Sequence, residues 1–400
     1  MTTSTLLAPA LPTAPAAPCP VRPDLRPSPT LLAAVAAGAT HADRTATLVP
    51  AHDQMVTDGL FHLLVPPELG GAGATIIDWF DAAYEIARAD ASAAWLMAQG
   101  AVQTAVIAVS ASDELVGQFF SARQTLASTS AGVVTAERHG DRYRLRNARW
   151  PYASGSSGAA YLGGLIASLD PDGKPELRMA LVPASHAVIE PTWDTLGLRG
   201  TASHHINFGA EVHIPAAMTY TWPALSIERP GTLATAISYV GWMISLSAAA
   251  TNLGVARHAI DAANSAAANK QRRFDSVSLA QQPPFLRGVA ELHGTVDLAV
   301  AGLRALLDNL WNDAAAGIDP SPRTRARLRL AAARAVSMAA DVVLAAQGLV
   351  GADALHRSSE LERLGRDSQM LLHHISVNPS TREQLAQALA GTYQGPPGLI

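Results

Sequence analysis

The chain is constrained most by a hydrophobic period that changes twice along its length. Up to about residue 125 apolar residues recur at helical spacing. Leu31, Leu32, Val35 and Ala36 begin the pattern, and Ile76, Ile77, Phe80, Ala83, Tyr84 and Ala87 share one helical face. From Ala127 to Phe208 the pattern alternates and breaks at Gly, Pro and Asp. Strands are expected at 127–135, 141–148, 160–168, 177–183, 186–192 and 205–213. Beyond Pro230–Gly231 the chain is Ala-rich and helical again, over 232–270, 281–316, 321–350 and 357–375. A β unit between two helical blocks specifies an α+β chain that is mostly α. We expect an N-terminal helical domain, a small central β-barrel or sandwich domain, a C-terminal four-helix bundle, and a ligand at their junction. The expected boundaries are a disordered arm at 1–30, helices at 31–125, the β domain at 126–225 and the bundle at 226–395.

Local signals refine this outline. One helix is expected over 31–60, and the Pro66–Pro67 pair stops any helix that reaches it. A helix resumes from Thr75 to Arg88. Asp90 or Ser92 is the N-cap of the next one, and Asp113 and Glu114 open a further short helix. Asp170–Gly173 is a hairpin turn. Arg323, Arg325, Arg327 and Arg329 read as a solvated helix face, with an anionic contact the alternative. Residues 231–256 carry no charge and are long enough to span a bilayer. Their Thr, Ser and Asn content and their continuation into polar helix favour a helix buried in a bundle or subunit interface.

A net charge of −4 gives no basic stripe for nucleic acid and no polybasic segment for a membrane surface. The single Cys19 excludes a disulfide within the chain, which suits a cytoplasmic protein. His204, His205 and His213 lack a Cys or carboxylate at ligand spacing, so no metal is expected. There is no GxGxxG after a strand and no P-loop, so nicotinamide binding is not expected in this chain.

Two stretches can form opposite sides of a slot for a planar ring such as a flavin. They are Trp150–Tyr161 and Trp193–Ser203. Trp or Tyr can lie against a ring face, Ser and Thr hydroxyls can reach its polar edge, and Gly155, Gly158 and Gly200 allow close backbone approach. The same residues also suit a β-hairpin capped by small side chains.

The block order and several motifs resemble the acyl-CoA dehydrogenase superfamily over about residues 31 to 391. Phe61–Gly71 looks like its N-terminal "G-x-P-x-x-x-G-G" loop, with Leu64 in place of the first Gly. Ile86–Trp95 looks like the helix pair that comes next, and Trp193–Ser203 contains the "GLRGT-x-S" segment. Two departures separate the chain from the dehydrogenases. Ala127–Thr135 lacks their "TEP-x-x-GSD" run, and Arg366–Thr381 lacks the Glu base that removes an α-proton. Asp367, followed seven residues later by His374, is similar instead to the two-component flavin monooxygenases of this superfamily.

This resemblance implies a reduced-flavin-dependent monooxygenase. It would oxygenate a small aromatic or polycyclic substrate through a C4a-(hydro)peroxyflavin. A separate NAD(P)H:flavin reductase would supply reduced FMN or FAD, molecular oxygen would be the co-substrate, and the assembly would be a homotetramer. Ser154 is then the donor at flavin N5, and His374 the general base or proton manager. Trp150, Tyr152, Thr201 and Ser203 contact the ring or phosphate. Arg272 and Arg273, before Phe274, and the turn Gln347–Gly348 also contact flavin, the arginines its phosphate. Trp95, Met97 and His373 fall on the substrate side, with plain core packing the alternative for Trp95 and Met97. An FAD-dependent acyl-CoA dehydrogenase and a non-catalytic binding relative are the competing readings.

Overall fold

The computed structural model describes residues 5–6, 25–222, 226–238, 241–273 and 275–395. After β1 (Thr5–Leu6) come five helices: α1 (Pro29–Thr45), α2 (His52–Thr57), α3 (Ile76–Ala87), α4 (Ala91–Ser110) and α5 (Asp113–Phe120). The expected single helix over 31–60 is two. Ala46 turns into the left-handed region at φ 52°, and Pro50 comes after it. Caps fix the remaining starts. Thr75 and Asp78 form a reciprocal capping box at α3, and Asp90 caps α4. Among the described residues α4 alone is long and apolar enough to cross a membrane. It is almost wholly buried in the fold, as a core helix is.

The β region contains β2 (Leu126–His139), β3 (Arg142–Arg146), β4 (Arg149–Ala153), β5 (Tyr161–Leu169), β6 (Pro175–Pro183), β7 (Val188–Glu190), β8 (His204–Asn207), β9 (Glu211–Pro215) and β10 (Thr219–Thr221). Seven strands in the order β1-β9-β3-β2-β5-β6-β10 make one sheet, and β4-β8-β7 make a second. The expected strand at 205–213 is split into β8 and β9, which belong to different sheets. Gly209, at φ 71°, lies in the corner between them. The hairpin at Asp170–Gly173 forms as expected, with Asp170 N donating to Lys174 O.

Trp150 plugs the interior of the β domain. It is fully buried, donates from Nε1 to Leu165 O at 3.2 Å, and meets Phe208 edge-on at 4.9 Å. Gly164 makes the room. A Cβ there would lie 2.0 Å from Trp150 Cδ2.

The C-terminal part holds α6 (Thr232–Ile237), α7 (Gly241–Ala268), α8 (Pro283–Ala315), α9 (Pro322–Val350), α10 (Glu360–Leu372) and α11 (Arg382–Ala390). α7 is the central rod, packed on α9 and α3. Its polar residues are used inside the bundle, with Asn252 Nδ2 donating to Val336 O and Ser245 Oγ to Ser376 O. Gly254 lets α3 approach, since a Cβ would sit 2.4 Å from that of Ala87. The arginine run on α9 is not a solvated face throughout. Arg325 and Arg329 are buried, on the side where α11 packs. Of the arm expected at 1–30, Thr5–Leu6 pairs in parallel with β9 and α1 begins at Pro29. Residues 1–4 and 7–24, with Cys19, lie outside the described residues.

Overpacking a filled core costs about 1–3 kcal/mol. Gly164→Ala is therefore expected to lower the melting temperature, because the new methyl meets the indole of Trp150. Calorimetry checks this, and unchanged melting would remove the close packing as a constraint.

Candidate active site

Three segments far apart in sequence meet around one buried cation. Arg363 on α10 lies between two carboxylates, with Nη1 3.2 Å from Asp90 Oδ2 and 3.6 Å from Asp367 Oδ2. All three residues are buried. Asp90 also accepts from Ala93 N at 2.7 Å, which fixes the start of α4. Asp367 accepts from Leu198 N at 2.7 Å, which pins the loop before β8. Burial raises the Asp90 carboxyl above its ordinary range against the pull of Arg363. Burial likewise pushes Asp367 up to about 6, with Arg363 opposing.

The pinned loop carries a row of hydroxyls. Leu198 and Ala202 both have left-handed backbones, at φ 51° and 43°, around a single 3-10 turn. That turn buries Thr201 and Ser203. Thr201 Oγ1 reaches Leu198 O at 2.8 Å and Ser203 Oγ at 2.7 Å. Ser203 Oγ is 2.8 Å from Ser154 Oγ, which also accepts from Trp95 Nε1 at 3.1 Å. The Ser154 turn is tied to the same loop, since Gly155 N donates to Thr201 O at 2.8 Å.

Trp95 joins this row to the C-terminal segment. Its ring meets His374 edge-on, 4.9 Å between centroids. α10 ends at Leu372, and His374 is the extended N-cap of a short turn. Ser376 N donates to His374 Nδ1 at 3.3 Å. The Ser376 hydroxyl is closer, with Oγ 2.8 Å from Nδ1. Because the amide can only donate, Nδ1 is the acceptor for both and the proton of the neutral ring sits on Nε2. Burial lowers the His374 pKa to about 4. At neutral pH the ring is therefore an N–H donor at Nε2, so a base role there has to begin with proton donation.

Next to Ser154 a narrow cavity of about 10 Å³, room for a single water, is lined by His52, Phe61, Leu96, Gln99 and Gln103. Gln99 Nε2 and Gln103 Oε1 are buried with no hydrogen-bond partner. Buried polar atoms are rarely left unmatched, so this donor and acceptor mark a place for a polar guest. A wider cleft of about 750 Å³ opens elsewhere, between α1, the 194–199 loop and α10. Three of the arginines that line it are ion-paired, Arg366 with Asp43 and Glu362, Arg199 with Asp194, and Arg363 with Asp90 and Asp367.

The structure separates the sequence-derived residues into groups. Ser154, Thr201, Ser203, Trp95 and His374 converge. Tyr152, 57% exposed, stands beside Trp193 and His205 on the outer face of the small sheet. Trp150 is a correction, because its indole is enclosed in the β core with no face open to a ligand. Met97 is another. It lies two residues beyond Trp95 and so about 200° around α4, fully buried in core. His373 is the exposed C-cap of α10 and turns to solvent. Arg272 and Arg273 are exposed in the turn after α7, and Phe274 lies outside the described residues. Lys270 donates to Val350 O at 2.9 Å, so that turn sits at the α9 end that carries Gln347–Gly348. Gln347 gives its amide to Leu361 O. The residues that sequence reasoning missed are Arg363, Gln99, Gln103 and His52. Gln99 and Gln103 had left a signal as the only amides in α4, one turn apart in an otherwise apolar run.

The comparisons with known proteins agree with this layout. Residues 31–122 match the family model "Acyl-CoA dehydrogenase, N-terminal domain", and residues 246–379 match "Acyl-CoA dehydrogenase, C-terminal domain". An indole-3-acetate monooxygenase from Pseudomonas putida is 28% identical over 343 residues, 85% of this chain and 86% of the relative. The oxygenase component of an FADH(2)-dependent resorcinol hydroxylase from Rhizobium sp. is 28% identical over 342 residues, 80% of this chain and 82% of the relative. The structure of XiaF from Streptomyces sp., in complex with FADH2 and glycerol, superposes with a TM-score of 0.79 at 21% identity. It covers 90% of this chain and 93% of that one.

Two outcomes are expected. Arg363→Met leaves two buried carboxylates without their counter-charge and is expected to cost about 3–5 kcal/mol of stability, read by chemical denaturation. The His374 ring, followed by NMR, is expected to stay neutral down to about pH 5 and to titrate near 4. Because its folded pKa lies below the unfolded value of about 6.5, its contribution to stability is complete above pH 6.5. That contribution is lost as pH falls toward 4. A midpoint near 6.5 would overturn this picture of the ring.

The two family models together match more than half of the sequence, and the chain belongs to the acyl-CoA dehydrogenase superfamily.

Proposed function

We propose that this chain is the oxygenase component of a two-component flavin-dependent monooxygenase. It takes reduced FMN or FAD from a separate NAD(P)H:flavin reductase and oxygenates a small aromatic substrate. The observation that carries this reading is the meeting of Ser154 and His374 on Trp95, across 220 residues of sequence. Relatives named as monooxygenases, some of them as flavin-dependent, extend over most of the chain.

The donor set fits a reduced flavin. Ser154 lines the cavity with a hydroxyl that its neighbours hold in place. Gly155, at φ 79°, adds no side chain beside it. Tyr152 and Trp193 supply ring faces on the outer side. When bound, reduced flavin with molecular oxygen supplies an oxygen atom for transfer, and the second atom leaves as water.

The chain's own residues then have separable tasks. Ser154 meets the polar edge of the ring, and Ser203 and Thr201 fix its orientation. His374 offers the proton on Nε2 and can take one back once that site is emptied. α4 and the core beneath it keep water away, which protects a reactive oxidant from wasteful decay. Gln99 and Gln103 bind polar groups of the substrate. Arg272, Arg273, Gln347 and Gly348 lie together at one end of the bundle. They serve the flavin phosphate of a second copy in a homotetramer. A cytoplasmic setting supplies the reductase and its nicotinamide.

Rapid mixing of the protein and chemically reduced FMN, and then FAD, with oxygenated buffer tests the reading. Return of the oxidised-flavin absorbance is expected to be slower than for free flavin. A return as fast as that of free flavin would overturn it. Gln99→Leu and Gln103→Leu are each expected to raise the substrate KM about tenfold, the worth of one or two buried hydrogen bonds, with a smaller effect on kcat.

A further inference from the structure

The row of hydroxyls has a direction, and the direction decides what Ser154 can offer a ligand. Ser154 has one proton and two lone pairs. The Trp95 indole N–H can only donate, and it occupies one lone pair at 3.1 Å. At the other end, Leu198 O can only accept, and Thr201 Oγ1 lies 2.8 Å from it. With the Thr201 proton on that carbonyl, Ser203 must give its proton to Thr201 across 2.7 Å. Ser154 must then give its own proton to Ser203 across 2.8 Å. What remains on Ser154, facing the cavity, is a lone pair.

The opposite polarity runs from Thr201 to Ser203 to Ser154 and makes Ser154 a donor to the cavity. It gives up the Thr201 hydroxyl bond to Leu198 O. That carbonyl also receives Thr201 N at 3.1 Å and Trp193 Nε1 at 3.0 Å, so the hydroxyl contact is the shortest of three. The two polarities thus differ by about one hydrogen bond, roughly a three- to tenfold preference.

Flavin changes its hydrogen-bonding character with its redox state. N5 of the reduced ring carries a proton and donates. N5 of the oxidised ring has only a lone pair. We propose that Thr201, which does not line the cavity and reaches Ser154 only through Ser203, is a positioning residue that selects reduced over oxidised flavin by holding Ser154 as an acceptor. This rests on the flavin reading of the site given above, and it replaces the expectation that Ser154 donates to N5.

Anaerobic titration of the full chain with oxidised FMN and with dithionite-reduced FMN, followed by calorimetry, gives a ratio of the two dissociation constants. Wild type is expected to favour the reduced form. Thr201→Val removes the anchor and is expected to lower the ratio about three- to tenfold, while Thr201→Ser restores it. A Thr201→Val protein that folds and keeps the wild-type ratio within about twofold would overturn the proposal and leave the oxygenase reading standing. If Thr201→Val does not fold, Ser203→Ala cuts the same row, and the same fall in ratio is required of it. Wild-type protein that binds neither form of flavin would overturn the oxygenase reading itself, and this inference with it.

Discussion

The guanidinium of Arg363, buried between Asp90 and Asp367, is the contact on which the site's geometry depends. A charge so placed is costly to bury, and its partners become costly if it is withdrawn. Each carboxylate uses its remaining capacity on a backbone N–H. Asp90 thereby starts α4, where a negative charge also suits the helix dipole, and Asp367 pins the loop at Leu198. α10 carries both Arg363 and Asp367 one turn apart and ends beside His374. One cation therefore sets the relative positions of Trp95, the Thr201–Ser203 row and His374, three pieces that no local sequence preference would bring together.

The sequence was informative where structure follows local rules. Thr75 with Asp78, and Asp90, are caps in the structure as their residue types suggest. The helix–strand–helix order needed only periodicity. It failed where a local rule is broken. In a regular strand Trp150 and Tyr152 would share a face, and both were expected at the ring, but only Tyr152 keeps an open ring face. Tyr152 instead has φ 60° within a bulge between Trp150 and Ala153. The bulge sends the tyrosine outward and leaves the tryptophan in the core. Trp95 and Met97 were grouped by closeness in sequence, whereas a helix separates residues two apart by most of a half-turn. Arg325 and Arg329 looked solvated because charge normally is, but both are buried where α9 packs in the bundle.

Most of the site's polar groups are constrained by partners that do no chemistry. Ser376 N fixes the tautomer of His374, and Leu198 O biases the Thr201 hydroxyl. Backbone groups of this kind carry no side-chain signature, which is why the residues could be named from sequence but their proton positions could not. The same fact confines the effect of a substitution here to the side-chain links of the row. A mutation can remove a hydroxyl but cannot remove the amide or carbonyl that orients it.

α4 is apolar and buried on nearly every side. Trp95, Gln99 and Gln103 leave it at successive turns, and Ser154 touches the first of them. At a rise of about 1.5 Å per residue the three positions span roughly 12 Å. The helix is thus a graduated scale laid beside the hydroxyl row. Exchanging the side chain at one mark would retune which ligand length is read while the row that faces the ring keeps its place.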